Sequence, residues 1–210
     1  ALKKKYGPTS YPSGGYYILR THDSFSFIRC GRYKDRPSHA DNLHLDIWIK
    51  GENVMRDSGT YKYNTDKKYL DYFTGSSSHN TVVIQDQSQM LKGSRFMWFY
   101  WSQALYGRWK ELEDGYEFEG SISAFRFLNP KIVHNRKVTI NKKQLEWMIE
   151  DQVQNADGLL KKQIWHLDEF PWEWNCIVDN TSKVKSDQSP SYNSSFYGQK
   201  TKGKAFAFTF

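Results

Sequence analysis

Long apolar runs are missing from this chain, and with them any membrane-spanning helix: no segment approaches the ~20 consecutive apolar residues that a bilayer demands. Cysteine is nearly missing too. Cys30 and Cys176 are the two present. They lie far apart, so one bridge between them is possible, but there is no dense disulfide framework and no CxxC metal pair. The redox compartment stays open. The opening residues, ALKKKYGPTS, carry positive charge without the apolar core of a secretory leader, so no intact signal peptide stands there. A removed leader, or a chain cut from a longer one, would look the same. Helical periodicity is scarce, and no repeat of 20–50 residues is visible. The patterns of RRM, KH and OB modules are also lacking, and the Lys and Arg residues are scattered. Nucleic-acid binding is therefore the weakest of the function classes, and none is expected here.

What is present is aromatic and basic. Aromatics make up 17% of the 210 residues, with eight Trp and fourteen Tyr, which suits pleated sheets and also surfaces that stack on sugars. The net charge of +7 and pI of about 9.2 favour polyanions such as acidic polysaccharide; a lysine-rich surface with no such partner is the plainer reading. The length fits one domain with a sizeable core.

Apolar residues mostly alternate, with Gly, Asn, Asp and Ser between the runs. The pattern predicts strands over 15–21, 24–31, 43–51, 53–57, 80–86, 96–103, 116–123, 131–140, 144–153, 159–167, 174–179 and 204–210. Short turn pairs such as KGEN, EDGY, INKK and NADG separate several of them. The expectation is one all-β domain over 1–210, a large antiparallel β-sandwich of about a dozen strands with little helix. Residues 179–204, rich in Ser, Lys, Asn and Gly, are expected as a long surface loop or disordered excursion.

Three blocks carry chemistry: SHADNLHLD, MRDSGTYKYN and SSSHNTVVIQDQSQM. Each sets a metal-capable residue at the end of a strand: His39, Asp57 and His79. Two imidazoles and a carboxylate make a common zinc set with one position left open. By spacing alone they read sooner as three unrelated polar residues, since sheet topology would have to bring them together. His44 sits inside an apolar strand and reads as a satisfied sheet residue. Asp41 and Asn42 would orient the ligands or form an Asx turn. His134 and Arg136 alternate on one strand, with Lys137 pointing away. They would greet an anionic sugar or form a solvated face. Trp172 and Trp174 share parity and read as core or interface before they read as a stacking platform.

SHADNLHLDIWIKG, RDSGTYKYN and HNTVVIQDQSQM, in that order, resemble the C-terminal β-sandwich domain of the heparinase II/III-like polysaccharide lyases. GGYYILRTHDSF upstream, and HNRKV and QIWHL downstream, support the likeness, which covers roughly residues 12–167. It implies a structural divalent metal, usually zinc, on His39, Asp57 and His79, and a cleft tyrosine after the DSG block, for which Tyr63 and Tyr61 are the candidates. On an extended strand Asp57, Tyr61 and Tyr63 would share a face, unless Gly59 bulges the chain. It implies β-elimination on uronate polysaccharide and a periplasmic or secreted location.

Two departures stand against full activity. Many lyases of the family carry a further His two residues before the metal His, and here that position is Pro37. The family's helical toroid domain, which neutralises the uronate carboxylate and supplies another proton-moving Tyr, is absent from the 210 residues. It would have to come from a longer chain or another subunit. The chain alone is therefore expected to be inactive. The alternative is a carbohydrate-binding or structural sandwich that keeps the metal site without chemistry.

Overall fold

In the computed structural model the described residues are 6–141, 143–167 and 186–210. The expected strand over 174–179, Cys176, Trp172 and Trp174 lie outside them. Cys30 is a free, buried thiol that donates to the Tyr106 carbonyl at 3.3 Å, and burial pushes it up to about 12.

Two antiparallel sheets face each other. The larger has nine strands: β1 (Gly7–Tyr11), β2 (Tyr16–Arg20), β3 (Ser24–Arg29), β4 (Leu45–Ile49), β5 (Glu52–Met55), β6 (Val82–Ile84), β13 (Lys161–Leu167), β14 (Ser186–Asn193) and β15 (Thr201–Thr209). They run in the order β1-β2-β3-β4-β5-β13-β15-β14, with β6 also paired to β13. The smaller is a four-stranded meander of β9 (Gln103–Glu111), β10 (Gly115–Ser123), β11 (Val133–Asn141) and β12 (Trp147–Gln154). A two-stranded ribbon, β7 (Leu91–Lys92) with β8 (Trp98–Phe99), stands apart. Period-two alternation builds the core, because one row from each strand turns inward. Leu19, Ile28, Leu45 and Ile47 of the large sheet meet Phe118, Ile122, Val138 and Ile140 of the small one.

The sandwich is as expected; the differences are local. Fifteen strands and one helix, α1 (Lys67–Thr74), are present among the described residues. β1 and most of β9 fall where no strand is expected, and 96–103 holds only the short β8 and the first residue of β9. β9 is an edge strand, so its outward side chains blur the alternation. Of the excursion expected over 179–204, residues 179–185 lie outside the described residues, and the rest is corrected: β14 pairs with β15 along its full length, from Ser186↔Phe208 to Asn193↔Thr201. Its polar composition suits an edge, where Pro190 removes a donor that a central strand would need.

No helix among the described residues is long and apolar enough to cross a membrane. The loop between β3 and β4, the segment after β5 and the turn before β6 gather at one end of the large sheet.

Candidate metal centre

The β3–β4 loop is held by its amides. Asn42, fully buried, accepts from the Gly31 N–H at 2.7 Å and donates to the Ser102 hydroxyl at 2.9 Å. The Gln89 side chain accepts from the Asn42 N–H at 3.1 Å and donates to its carbonyl at 2.6 Å. Asn80 ties three segments together. Its Nδ2 donates to the Leu45 and Arg56 carbonyls at 2.9 and 3.2 Å, and its Oδ1 accepts from the His166 N–H at 2.7 Å. Buried amides in this number are costly unless paired, so the pairing makes the loops specific in shape.

On that frame sit the imidazoles and the carboxylate. His79 is fully buried, and its Nδ1 donates to Asp57 Oδ2 at 2.7 Å. Its Nε2 therefore carries the lone pair, and it faces His39 Nδ1 at 3.3 Å. Asp57 Oδ1 accepts from the Gly59 N–H at 2.6 Å. Burial acts to raise the Asp57 carboxyl, but the charge and hydrogen bond of His79, with the charge of His44, hold it well below the usual range. Its side chain keeps 38% of its surface exposed, so solvent screens part of this effect. Burial acts to lower His79, and Asp57 outweighs it, leaving the imidazole raised. Burial and the charge of His79 lower His39.

His44 joins this group. Its Nδ1 accepts the Asn80 N–H at 2.9 Å, so in the neutral ring Nε2 carries the proton. That Nε2 is buried without a hydrogen-bond partner, 3.8 Å from Asp57 Oδ2. Burial brings His44 down to about 4. His44, Asp57 and His79 present ligand atoms that all lie within 4.8 Å of one another. Of the sequence candidates, Asp57 and His79 fall in this group with His44, which the sequence alone sets aside, and His39 reaches it through His79 at 3.3 Å.

The donor set fits a divalent metal. Two ring nitrogens 3.3 Å apart match the edge of a tetrahedron whose metal–nitrogen bonds are about 2.0–2.1 Å. Asp57, on the far nitrogen of His79, stands where a carboxylate orients a ligating imidazole and raises its basicity. The tautomer of His44, with its lone pair already given to Asn80, makes it a donor toward Asp57 before it is a ligand.

The tyrosines part company. Gly59 (φ +83°) and Tyr61 (φ +64°) lie in the left-handed region, so the expected shared face does not form. A Cβ on Gly59 would meet the Ser194 carbonyl oxygen at 2.1 Å. Tyr61 turns inward against Tyr69 and Phe73, with centroids at 5.8 and 5.5 Å. Its hydroxyl takes a hydrogen bond from Lys200 Nζ at 3.3 Å. That bond, and the charges of Lys200 and Lys62, lower the phenol. Tyr63 is 63% exposed, beside Tyr197 and Phe96.

His134 and Arg136 are not on a solvated face. Both are buried on the inward row of β11. Arg136 forms a two-pronged pair with Asp151, Nε to Oδ1 at 2.7 Å and Nη2 to Oδ2 at 2.6 Å. His134 Nε2 donates to Asp151 Oδ1 at 2.8 Å. Arg136 Nη1 donates to the Leu43 and Asn80 carbonyls, each at 2.6 Å, and so braces the loops that carry His44 and His79. Asn80, Gln89 and Lys200 escaped the sequence reading. Only the HN dipeptide at 79–80 hinted at Asn80, because partners so distant in the chain leave no spacing to read.

The family described as Heparinase II/III-like, C-terminal, matches over residues 3–196. A heparinase III structure superposes with a TM-score of 0.78 at 14% identity, covering 100% of this chain and 34% of that one. The heparan sulfate lyase HepC from Pedobacter heparinus superposes with a TM-score of 0.76 at 16% identity, covering 99% of this chain and 34% of that one. At such identities the superpositions establish the fold. The chain spans about a third of the length of these structures. No curated protein matches it.

Proposed function

The chain belongs to the heparinase II/III-like family by its C-terminal domain, and on that footing we propose that it is the metal-holding sandwich of a polysaccharide lyase-like protein. The reading is β-elimination on acidic, uronate-containing polysaccharide. The observation that carries it is the convergence of His39, His79 and Asp57 at one end of the large sheet, from three segments far apart in sequence.

The donor chemistry favours zinc, held by His39 and His79 with Asp57 behind or beside them. Bound there, the metal would serve as a structural tie between loops. The residues themselves fix those loops, and Tyr61 and Tyr63 follow Asp57 on the same segment. In β-elimination a base removes the C5 proton of the uronate and an acid protonates the leaving oxygen. Tyr61 has the phenol tuned for proton removal by Lys200, and Tyr63 has the access. Carboxylate neutralisation and the second proton transfer have no assigned group among the described residues. They are referred to a helical domain on a longer chain or another subunit. Groups that act as a unit lose most of their rate when part of the set is removed, so the chain alone is expected to be inactive.

One observation favours the non-catalytic alternative. Pro37 is buried and carries no proton to move. Two measurements decide. Elemental analysis should find about one equivalent of divalent metal per chain, lost in His39→Ala; less than about 0.2 equivalents in the wild type would remove the metal reading. Absorbance of unsaturated product, with heparan sulfate and alginate as substrates, should show no turnover by the isolated chain. Turnover abolished by Tyr63→Phe would mean that the sandwich holds a complete site.

A further inference from the structure

The far end of β4, away from the metal centre, also has the makings of a site. There the β2–β3 and β4–β5 turns border an open surface cavity of about 390 Å³, lined among others by Arg20, His22, Asp23, Phe25, Trp48 and Lys50. Register builds it. Arg20 pairs with Phe25 across β2 and β3, and Phe25 pairs with Trp48 across β3 and β4. The three side chains therefore stand in one row on the outward face, while their neighbours Leu19 and Ile49 turn into the core. The Arg20 guanidinium lies 4.7 Å from the Phe25 ring centroid. Trp48 is 38% exposed. The Lys50 N–H donates to the Asp23 carbonyl at 2.7 Å, which clamps the two turns together.

The charges are lopsided. Asp23 takes His22 Nδ1 at 2.7 Å, and among the described residues neither Arg20 nor Lys50 forms an ion pair. The cavity thus has an aromatic wall and two cations without carboxylate partners. An apolar ligand would have no use for the cations, and a small inorganic anion none for the indole. An anionic sugar uses both, because its CH-lined face stacks on an aromatic ring while its sulfate or carboxylate meets Arg and Lys.

We propose that this cavity is a second saccharide site, which takes an anionic pyranose unit of an acidic polysaccharide. The choice of polysaccharide over other polyanions rests on the functional reading above. His44 precedes β4 and Lys50 follows it, so the strand's five residues set the cavity about 16 Å from the metal end. A polymer held here is gripped away from any bond-breaking groups, so the site is one of retention.

The test is a titration of the full chain with a heparan-sulfate-type tetrasaccharide at low and physiological salt, followed by calorimetry and tryptophan fluorescence. Trp48→Ala and Lys50→Gln are each expected to weaken binding about fivefold or more, and Trp48→Phe to remove most of the fluorescence change. Lys50→Gln should keep the wild-type melting temperature and metal content, since Lys50 is exposed; Trp48 also hydrogen-bonds Asp46, which holds the Asp57 N–H, so the binding of Trp48→Ala is compared at matched folded fraction and metal content. Wild-type affinity in both, or no binding by the wild type, overturns the proposal. So does tighter, Trp48-dependent binding of a single-stranded oligonucleotide of equal charge. Turnover and metal content decide the lyase reading separately, and no result in this titration bears on them.

Discussion

A charged residue in a strand is easily taken for a surface residue, and Arg136 shows the cost of that habit. Its parity with Val138 and Ile140 was in the sequence, and so was the matching Asp151 two places after Ile149. Read together, they mark a buried pair on facing inward rows. Charge argued for solvent; alternation argued for the core; alternation won because Asp151 and two carbonyls satisfy the guanidinium. Removing one partner leaves a buried charge alone, at a cost of about 3–5 kcal/mol. Arg136→Met and Asp151→Asn should each lower the urea midpoint sharply. If Arg136 met substrate, its replacement would instead weaken saccharide binding and leave stability untouched. Gly59→Ala is expected to destabilise by more than about 1 kcal/mol, since it puts a Cβ against the Ser194 carbonyl in a left-handed backbone. Metal content in this variant should fall as well, because the Gly59 N–H holds Asp57.

Elements with clean alternation, β2, β3, β4, β10 and β11, were legible, and the family was legible through the three blocks that hold His39, Asp57 and His79. α1 was not. KKYLDYFT is short and weakly helical on its own, and its place comes from packing. Tyr72 of α1 donates its hydroxyl to the Tyr192 carbonyl at 3.3 Å and accepts from the Tyr192 N–H at 3.0 Å. The same contact explains why polar β14 is ordered. Tyr72→Phe removes both bonds and leaves two backbone groups to find water, costing about 1–3 kcal/mol. Amide exchange in β14 is expected to quicken more than in β10; equal acceleration in both would mean that the clamp is not local.

At the scale of the whole molecule, acid should loosen the sandwich. His166 is fully buried, with Nε2 donating to the Ser77 carbonyl at 2.9 Å and Nδ1 accepting from Ser58 at 3.3 Å. Burial outweighs the Ser77 bond and brings it down to about 4. The unfolded chain, near its ordinary 6.5, binds the proton more readily. Stability is therefore complete above about pH 6.5 and is lost as the pH falls toward 4, by a few kcal/mol. Urea unfolding at pH 7.5 and pH 5 should show the loss, and His166→Gln should show less of it. A flat profile between those pH values would contradict the burial argument.

The bridge from Gly59 to Ser194 has a consequence in time. The Ser194 N–H also donates to the Ser58 carbonyl at 2.8 Å, and the Gly198 N–H to the Tyr61 carbonyl at 2.8 Å. The segment that carries Asp57 and Tyr61 is thus fastened by residues made more than a hundred positions later. As the chain leaves the ribosome, the early strands β2 to β4 have their partners at hand, but this corner must wait until residues 194–198 have been made. A chain stalled before that point would carry His79 without the contacts that fasten the Asp57 segment beside it.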